Sequence, residues 1–333
     1  MKAIIPVAGV GSRLRPHTFT RPKVLLNVAG KPILGHILDH LVASGIDHVT
    51  LVVGAMGNLI EKYVRENYSI PSSFVVQHEA RGLAHAVHLG MTPDDQEVLV
   101  ILGDTIFEFD LRGILSNSRT SAIGVKTVED PRRFGVVETR DDIVTRLVEK
   151  PENPRSNLVI VGIYLIRQAQ VLKTSIEMLF DRNLTTRGEF QLTDALQLMI
   201  ESDVPISTFG VDNWFDCGKP ETLLETNQHL LNRLNGQPAT QRSGAVIVPP
   251  VFIHPDAVIE QAIVGPYATV GQGATIRNAM VRDAILGDGS LVEDALVAGS
   301  LVGNNAVVKG SFHRYNLGDS SAIIEGGRDG DEL

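Results

Sequence analysis

Between residues 7 and 23 the chain reads Val7-Ala8-Gly9-Val10-Gly11-Ser12-Arg13-Leu14-Arg15-Pro16, followed by Thr18 and Arg21-Pro22-Lys23. Small residues let backbone amides approach phosphate oxygens, and amides bind an anion without any side chain. Arg13 and Lys23 flank this turn as fixed cations, so the segment reads as a phosphate cradle, although either cation alone would also suit a solvated surface. Its spacing is neither GxGxxG nor GxxxxGK[ST], which argues against a dinucleotide-binding or P-loop fingerprint. Asp104 follows the apolar run Glu97 to Leu102, where α/β sheets hold ligands beyond the carboxyl ends of their strands. A turn or a helix cap would use an aspartate there equally well. Asp216, in Trp214-Phe215-Asp216-Cys217-Gly218, leaves the same choice open, and Lys150, in Glu149-Lys150-Pro151, could mark a strand end. The single cysteine, Cys217, has no evident histidine base and suits a small buried hydrophobe. The ten histidines show no HExxH or similar metal spacing.

These groups need a scaffold, and the hydrophobic pattern supplies one. From residue 1 to about 235, short apolar runs alternate with segments of helical period, the pattern of an α/β fold with helices over a sheet. Strands are expected at Lys2 to Val7, His48 to Val53, Phe74 to Gln77 and Glu97 to Leu102. Helices are expected at Lys31 to Ser44, Asn58 to Asn67 and Gly82 to Met91. After about residue 245 helical period gives way to apolar positions every five or six residues: Ile253, Ile259, Val264, Val270, Ile276, Val281, Leu286 and Leu291. Such a hexapeptide repeat is the signature of a parallel β-helix with a buried aliphatic column. The chain therefore divides into a domain over 1–235, a linker over 236–245, the repeat over 246–320 and a flexible acidic tail over 321–333.

Composition narrows the partners. Hydrophobic residues are 43% of the 333 and charged residues 21%, a globular balance. The net charge of −9 offers no basic footprint for nucleic acid. No apolar stretch reaches the length of about 18 residues that a membrane-crossing helix needs, so no span is expected. A lone cysteine and no leader-like N-terminus point to the cytoplasm.

The blocks over residues 9 to 25 satisfy GxG[TS]RLxPxTxxxPKxL, and the chain resembles the sugar-1-phosphate nucleotidyltransferases there. The resemblance continues through Gln77, Gly82-Leu83-Ala84-His85-Ala86, Leu102-Gly103-Asp104, Phe134-Gly135-Val136-Val137-Glu138, Glu149-Lys150-Pro151, Gly162-Ile163-Tyr164, Arg187-Gly188-Glu189 and Trp214 to Gly218. It implies a Rossmann-like mixed-sheet catalytic domain followed by a short left-handed β-helix, and attack of a sugar 1-phosphate on the α-phosphorus of a nucleoside triphosphate. By the resemblance, Arg13 and Lys23 hold the triphosphate, Asp104 and Asp216 ligate Mg²⁺, and Lys150, supported by Arg187, grips the sugar phosphate. Gly135, Glu149, Ile160 and Gly162 contact the sugar. Ala8, Gly9, Gly11 and Ser12 cradle the nucleotide, while Gln77 and Gly82 read the base. The opening Ile5-Pro6-Val7-Ala8-Gly9 resembles uridylyltransferases, the repeat and Arg13-Leu14-Arg15-Pro16 resemble long thymidylyltransferases and guanylyltransferases, and Gln77 with Gly82 to Ala86 resembles pyrimidine-selecting members. UTP or dTTP with glucose 1-phosphate is the expected pair, in a homo-oligomer. A mannose-1-phosphate guanylyltransferase and a non-catalytic binder of nucleotide sugars are the alternatives.

Overall fold

The computed structural model describes residues 1–234 and 244–311. Most of the 236–245 linker, residues 312–320 of the repeat and the whole 321–333 tail lie outside the described residues. The apolar runs Lys2–Val7, His48–Val53, Ser72–Val76 and Val98–Ile101 are strands paired in parallel, with Lys2–Val7 between His48–Val53 and Val98–Ile101. Successive side chains on a strand point to opposite faces, and the core divides accordingly. Ile5, Leu51 and Leu99 join the helix Ile33–Ala43 on one face. Ile4, Val52 and Val100 pack on the other against the helices Leu83–Gly90, Ala169–Asp181 and Leu192–Glu201.

The sheet is mixed, as the resemblance implies: half of its nine strands leave the parallel pairing that alternating strand and helix would give on their own. Leu158–Ile166 runs antiparallel to both Val98–Ile101 and Ser121–Thr127, and Gly135–Arg140 forms a hairpin with Ile143–Glu149. For the hairpin pair the connecting loop explains the direction. Asp141 and Asp142 both take positive φ, 51° and 62°, the geometry of a two-residue turn that needs no crossover helix. A similar reversal moves the first helix start. Ala29 and Gly30, at φ 49° and 86°, fold Lys31–Pro32 back onto Asn27–Val28, so the helix begins at Ile33 rather than Lys31.

The C-terminal segment is a coil of short parallel strands. Val251 pairs with Ala268, Ala268 with Ala284 and Ala284 with Ser300, each partner one turn of the coil further along the chain, and Val258–Glu260, Thr275–Arg277, Leu291–Glu293 and Val307–Lys309 stack in a second row. Three apolar steps of five or six residues make one turn. Ile259, Val264, Val270, Ile276, Val281 and Leu286 are all buried. The last expected position slips by one: Val292, paired with Ile276, fills the column, and Leu291 is only half-buried.

The coil seats on the helix Pro220–Arg233 through a buried polar clasp. Asn227 is 0% exposed; its Oδ1 accepts from Ala29 N at 2.9 Å and Thr269 Oγ1 at 2.6 Å, and its Nδ2 donates to Tyr267 O at 3.1 Å. Gln228 Nε2 donates to Asp283 Oδ1 at 2.7 Å beside it. With both its oxygen and its nitrogen bonded, the amide escapes the 1–3 kcal/mol or so that an unpaired buried polar group costs. Among the described residues, no helix is long and apolar enough to cross a membrane.

Candidate active site

The cradle leaves the carboxyl end of Lys2–Val7. Gly11 sits at φ 62°, where glycine is at home, and Thr18 Oγ1 donates to its carbonyl at 2.8 Å. A Cβ on Gly11 would fall 3.0 Å from Lys23 Cβ and 3.1 Å from Thr18 Cγ2. The missing side chain thus lets the stem of Lys23 pass beneath the turn. Lys23 is buried, and its Nζ donates to Asp104 Oδ2 at 2.8 Å. Above it Gly9, Ser12 and Arg13 are exposed, while the Ala8 carbonyl packs against Gly54, where a Cβ would come within 2.7 Å of the oxygen.

A two-stranded ribbon brings the two aspartates together. Thr105–Glu108 pairs antiparallel with Asn213–Asp216, Thr105 opposite Asp216, and Cys217 N donates to Asp104 O at 3.1 Å. Both aspartates line one cavity of about 290 Å³. A Cβ on Gly218 would lie 2.7 Å from both Arg13 Nη2 and Asp216 Oδ1, which places the exposed guanidinium beside that carboxylate. Burial pushes the Cys217 thiol up to about 12, partly offset by its hydrogen-bonded contact with Thr226. A fully buried thiol held protonated is a packing group, not a nucleophile. No group of three or more His, Cys, Asp or Glu able to hold a metal occurs among the described residues. Two carboxylates fit an ion such as Mg²⁺, which takes one or two carboxylates and completes its shell with substrate phosphates and water.

The far wall of the cavity comes from the antiparallel half of the sheet: Gly135, Glu149, Lys150, Ile160 and Gly162 all line it. Glu149 is clamped at both oxygens, Lys150 Nζ lying 2.8 Å from Oε1 and Thr193 Oγ1 donating to Oε2 at 2.7 Å. Gly135 is needed for closeness, since a Cβ there would stand 3.0 Å from both Thr193 Oγ1 and Ile160 Cδ1. Lys150 takes a left-handed φ of 43° as its amide donates to Phe134 O at 3.0 Å. Gly162, at φ 94°, lies where the pairing of Leu158–Ile166 with Ser121–Thr127 shifts register, and its carbonyl accepts from Leu102 N at 2.9 Å.

Other expected residues stand farther out. Arg187 is exposed and reaches the group only through Lys150 O, at 3.2 Å. Gln77 and Gly82 form a separate pair: Gln77 Nε2 donates to Gly82 O at 3.3 Å and lies 3.0 Å from His85 Nδ1. A Cβ on Gly82 would strike Phe190 O at 2.4 Å, so this glycine serves close packing. The sequence reading missed Thr193, Gln191 and Tyr164 as lining residues, and left without a site role Trp214 and Phe134, whose rings meet edge-on at 5.0 Å. Thr193 opens the helix Leu192–Glu201, 44 residues from Glu149, and no local spacing links them.

Residues 2–233 match the nucleotidyl transferase family, and the chain belongs to it. It is 39% identical over 236 residues to the bifunctional protein GlmU of Methanocaldococcus jannaschii, a match covering 71% of this chain and 55% of that relative. The chain thus spans about half of that protein's length. To the UTP–glucose-1-phosphate uridylyltransferase AglF of Haloferax volcanii it is 35% identical, covering 69% of this chain and 96% of AglF. To a glucose-1-phosphate thymidylyltransferase of Streptomyces antibioticus it is 31% identical, covering 84% and 81%. Among solved structures, a UDP-glucose pyrophosphorylase complexed with UDP-glucose superposes with a TM-score of 0.60 at 23% identity over 70% of this chain and 98% of that one, a likeness of fold.

Proposed function

We propose that the chain transfers a nucleotidyl group from UTP or dTTP to a sugar 1-phosphate, with glucose 1-phosphate the favoured acceptor, and releases pyrophosphate. The observation that carries this reading is the cavity that Asp104, bonded to buried Lys23, and Asp216 share with Lys150 and clamped Glu149 on its far wall. A phosphate oxygen of the sugar phosphate attacks the α-phosphorus while the bond to pyrophosphate breaks on the opposite side. Two polyanions must meet for that, so preorganised cations are where the catalytic benefit lies. Arg13 and Lys23 stand on the cradle side to receive the triphosphate, and Lys150 stands on the sugar side. Glu149, fixed by Thr193, offers an acceptor to sugar hydroxyls. Mg²⁺, held by Asp104 and Asp216 together with the phosphates, would supply charge neutralisation at the reacting centre.

Relatives named as a uridylyltransferase and a thymidylyltransferase, both acting on glucose 1-phosphate, support this choice of substrates. The left hand of the coil and assembly as a homo-oligomer belong to the same reading. An exposed apolar ladder of Val246, Ile263, Met280 and Leu296 in successive register on the coil's outer face suits such assembly. The test is pyrophosphate release with Mg²⁺, crossing UTP, dTTP, GTP, CTP and ATP with glucose, mannose, galactose and N-acetylglucosamine 1-phosphates. A maximum at UTP or dTTP with glucose 1-phosphate is expected. A maximum at GTP with mannose 1-phosphate overturns the substrate choice, and no turnover with any pair overturns the activity.

A further inference from the structure

The pairing of Gln77 with His85 fixes more than a side-chain position. Gln77 follows the strand Ser72–Val76 at the carboxyl edge of the parallel half, its backbone N donating to Val53 O at 2.8 Å. The cradle and Asp104 leave neighbouring strands at that same edge. Leu83, next to Gly82, lines the cavity. The side-chain amide has two ends that differ only in chemistry, and its surroundings decide between them. The Gly82 carbonyl can only accept, so the end that faces it is the NH₂. That NH₂ also faces His85 Nδ1 at 3.0 Å, so Nδ1 must carry a lone pair and the imidazole proton must sit on Nε2. Both amide hydrogens are then used, and Oε1 is the end left to meet a ligand.

We infer that His85 is a positioning residue for base selection, holding the Gln77 amide so that it offers an acceptor and thereby selects uracil or thymine over cytosine. The inference rests on the reading above that Gln77 faces the base of the bound nucleotide. Uracil and thymine carry a donor at N3, which a carbonyl oxygen accepts; cytosine carries a lone pair there, which the same oxygen repels. Were the amide free to turn over, its NH₂ would satisfy cytosine equally well, and the discrimination would fall. His85 is equipped for a permanent acceptor role. Burial, with Arg81 and His88 nearby, holds its proton affinity below the ordinary histidine value against an opposing pull from Glu79, so the ring stays neutral around neutral pH. The edge of the ring rests on Phe180, at 6.0 Å between centroids, from the helix Ala169–Asp181. The Glu177 carboxylate of that helix lies 3.1 Å from His88 Nε2.

The experiment measures kcat/KM for UTP, dTTP and CTP, with glucose 1-phosphate, in the full chain and in His85→Leu, His85→Asn and Gln77→Ala. Leucine suits the helix but removes the acceptor, and the preference for UTP and dTTP over CTP is expected to fall about tenfold, the scale of one hydrogen bond. Asparagine can place its Oδ1 where Nδ1 stood, and the preference is expected to return. A merely structural role would leave the ratio alone and move all three substrates together. An unchanged ratio in His85→Leu with a reduced one in Gln77→Ala overturns the role of His85 and keeps Gln77 at the base. Unchanged ratios in both remove Gln77 from the base site, and wild-type chain that uses neither UTP nor dTTP overturns the parent reading. Should His85→Leu fail to fold, long-range nitrogen–proton NMR on the unaltered chain decides the point: a neutral ring protonated at Nε2 is expected, and one protonated at Nδ1 overturns the proposal.

Discussion

Left-handed backbone occurs in both halves of the molecule, and it means different things in each. In the coil it repeats: Gln261, Asn278 and Asp294 form one series, Tyr267, Asp283 and Gly299 a second, and Gly273, Gly289 and Asn305 a third, every step being one turn of the coil. Each series turns one corner, and stacking shares the load, as when Asn278 Nδ2 donates to Asp294 Oδ1 at 2.7 Å. In the sheet domain Lys150 and Arg187 have no such register partners, and the carbonyl of the first accepts from the guanidinium of the second. Strained backbone costs on the order of 1–3 kcal/mol per residue and persists where surroundings over-determine it. Repetition over-determines the coil, whereas beside the cavity the determinant is a constellation of charged groups. Positive φ alone therefore marks no site; positive φ without a repeat, at a cation on a cavity wall, is the informative case.

That contrast can be broken most decisively at the charges. Asp216→Asn keeps the shape of the side chain, and kcat is expected to fall by about a thousandfold, with the thermal midpoint unmoved; steady-state rates and a melting curve check both. Lys150→Gly relaxes the backbone yet removes the ammonium, so kcat/KM for the sugar phosphate should drop about a hundredfold while the melting midpoint holds or rises. A fall in stability with intact kinetics would put Lys150 in the same class as the coil corners. Gly218→Ala must push Arg13 and Asp216 aside, both at flexible side-chain ends, and should cost about tenfold in kcat with a normal circular dichroism spectrum. Asn227→Ala should leave kcat near normal but cost about 3 kcal/mol in denaturant unfolding, because three buried or half-buried groups lose their partner. The smallest effect is expected at a coil corner. Gln261→Gly should change stability by no more than about 1 kcal/mol, and turnover not at all.

The parts of the site that could be read in the sequence are those whose members are neighbours along the chain. Gly9 to Lys23 is a single loop, and Asp104 ends a single apolar run, so residue type and spacing suffice. The elements of the parallel half were legible within two residues of their observed bounds for the same reason. The hairpin at Asp141 and Asp142 was not, because alternation of element types does not state strand direction. The clamp of Glu149 by Thr193 joins positions 44 apart, and the Asn227 clasp reaches Ala29 across 198 residues. On an amphipathic helix an asparagine reads as surface until the surface it faces is known. At Leu291 the periodic reading ran one residue early, and in a strand one residue changes the face.

The clasp also bears on how such a chain can change in length. The coil's hydrogen-bonded seat uses Tyr267, Thr269 and Asp283, all in its earlier turns, while a later stretch adds apolar contact, Leu301 resting on the core of the sheet domain and Gly303, Asn304 and Ala306 facing His17 and Arg21. Removing the layer that holds Leu301 to Ala306 would spare those mounting bonds but strip cover from Leu26, His17 and Arg21. The joint therefore has a polar mount and an apolar one, and a change of coil length ahead of Ala306 is felt beside the loop that runs from Gly9 to Lys23.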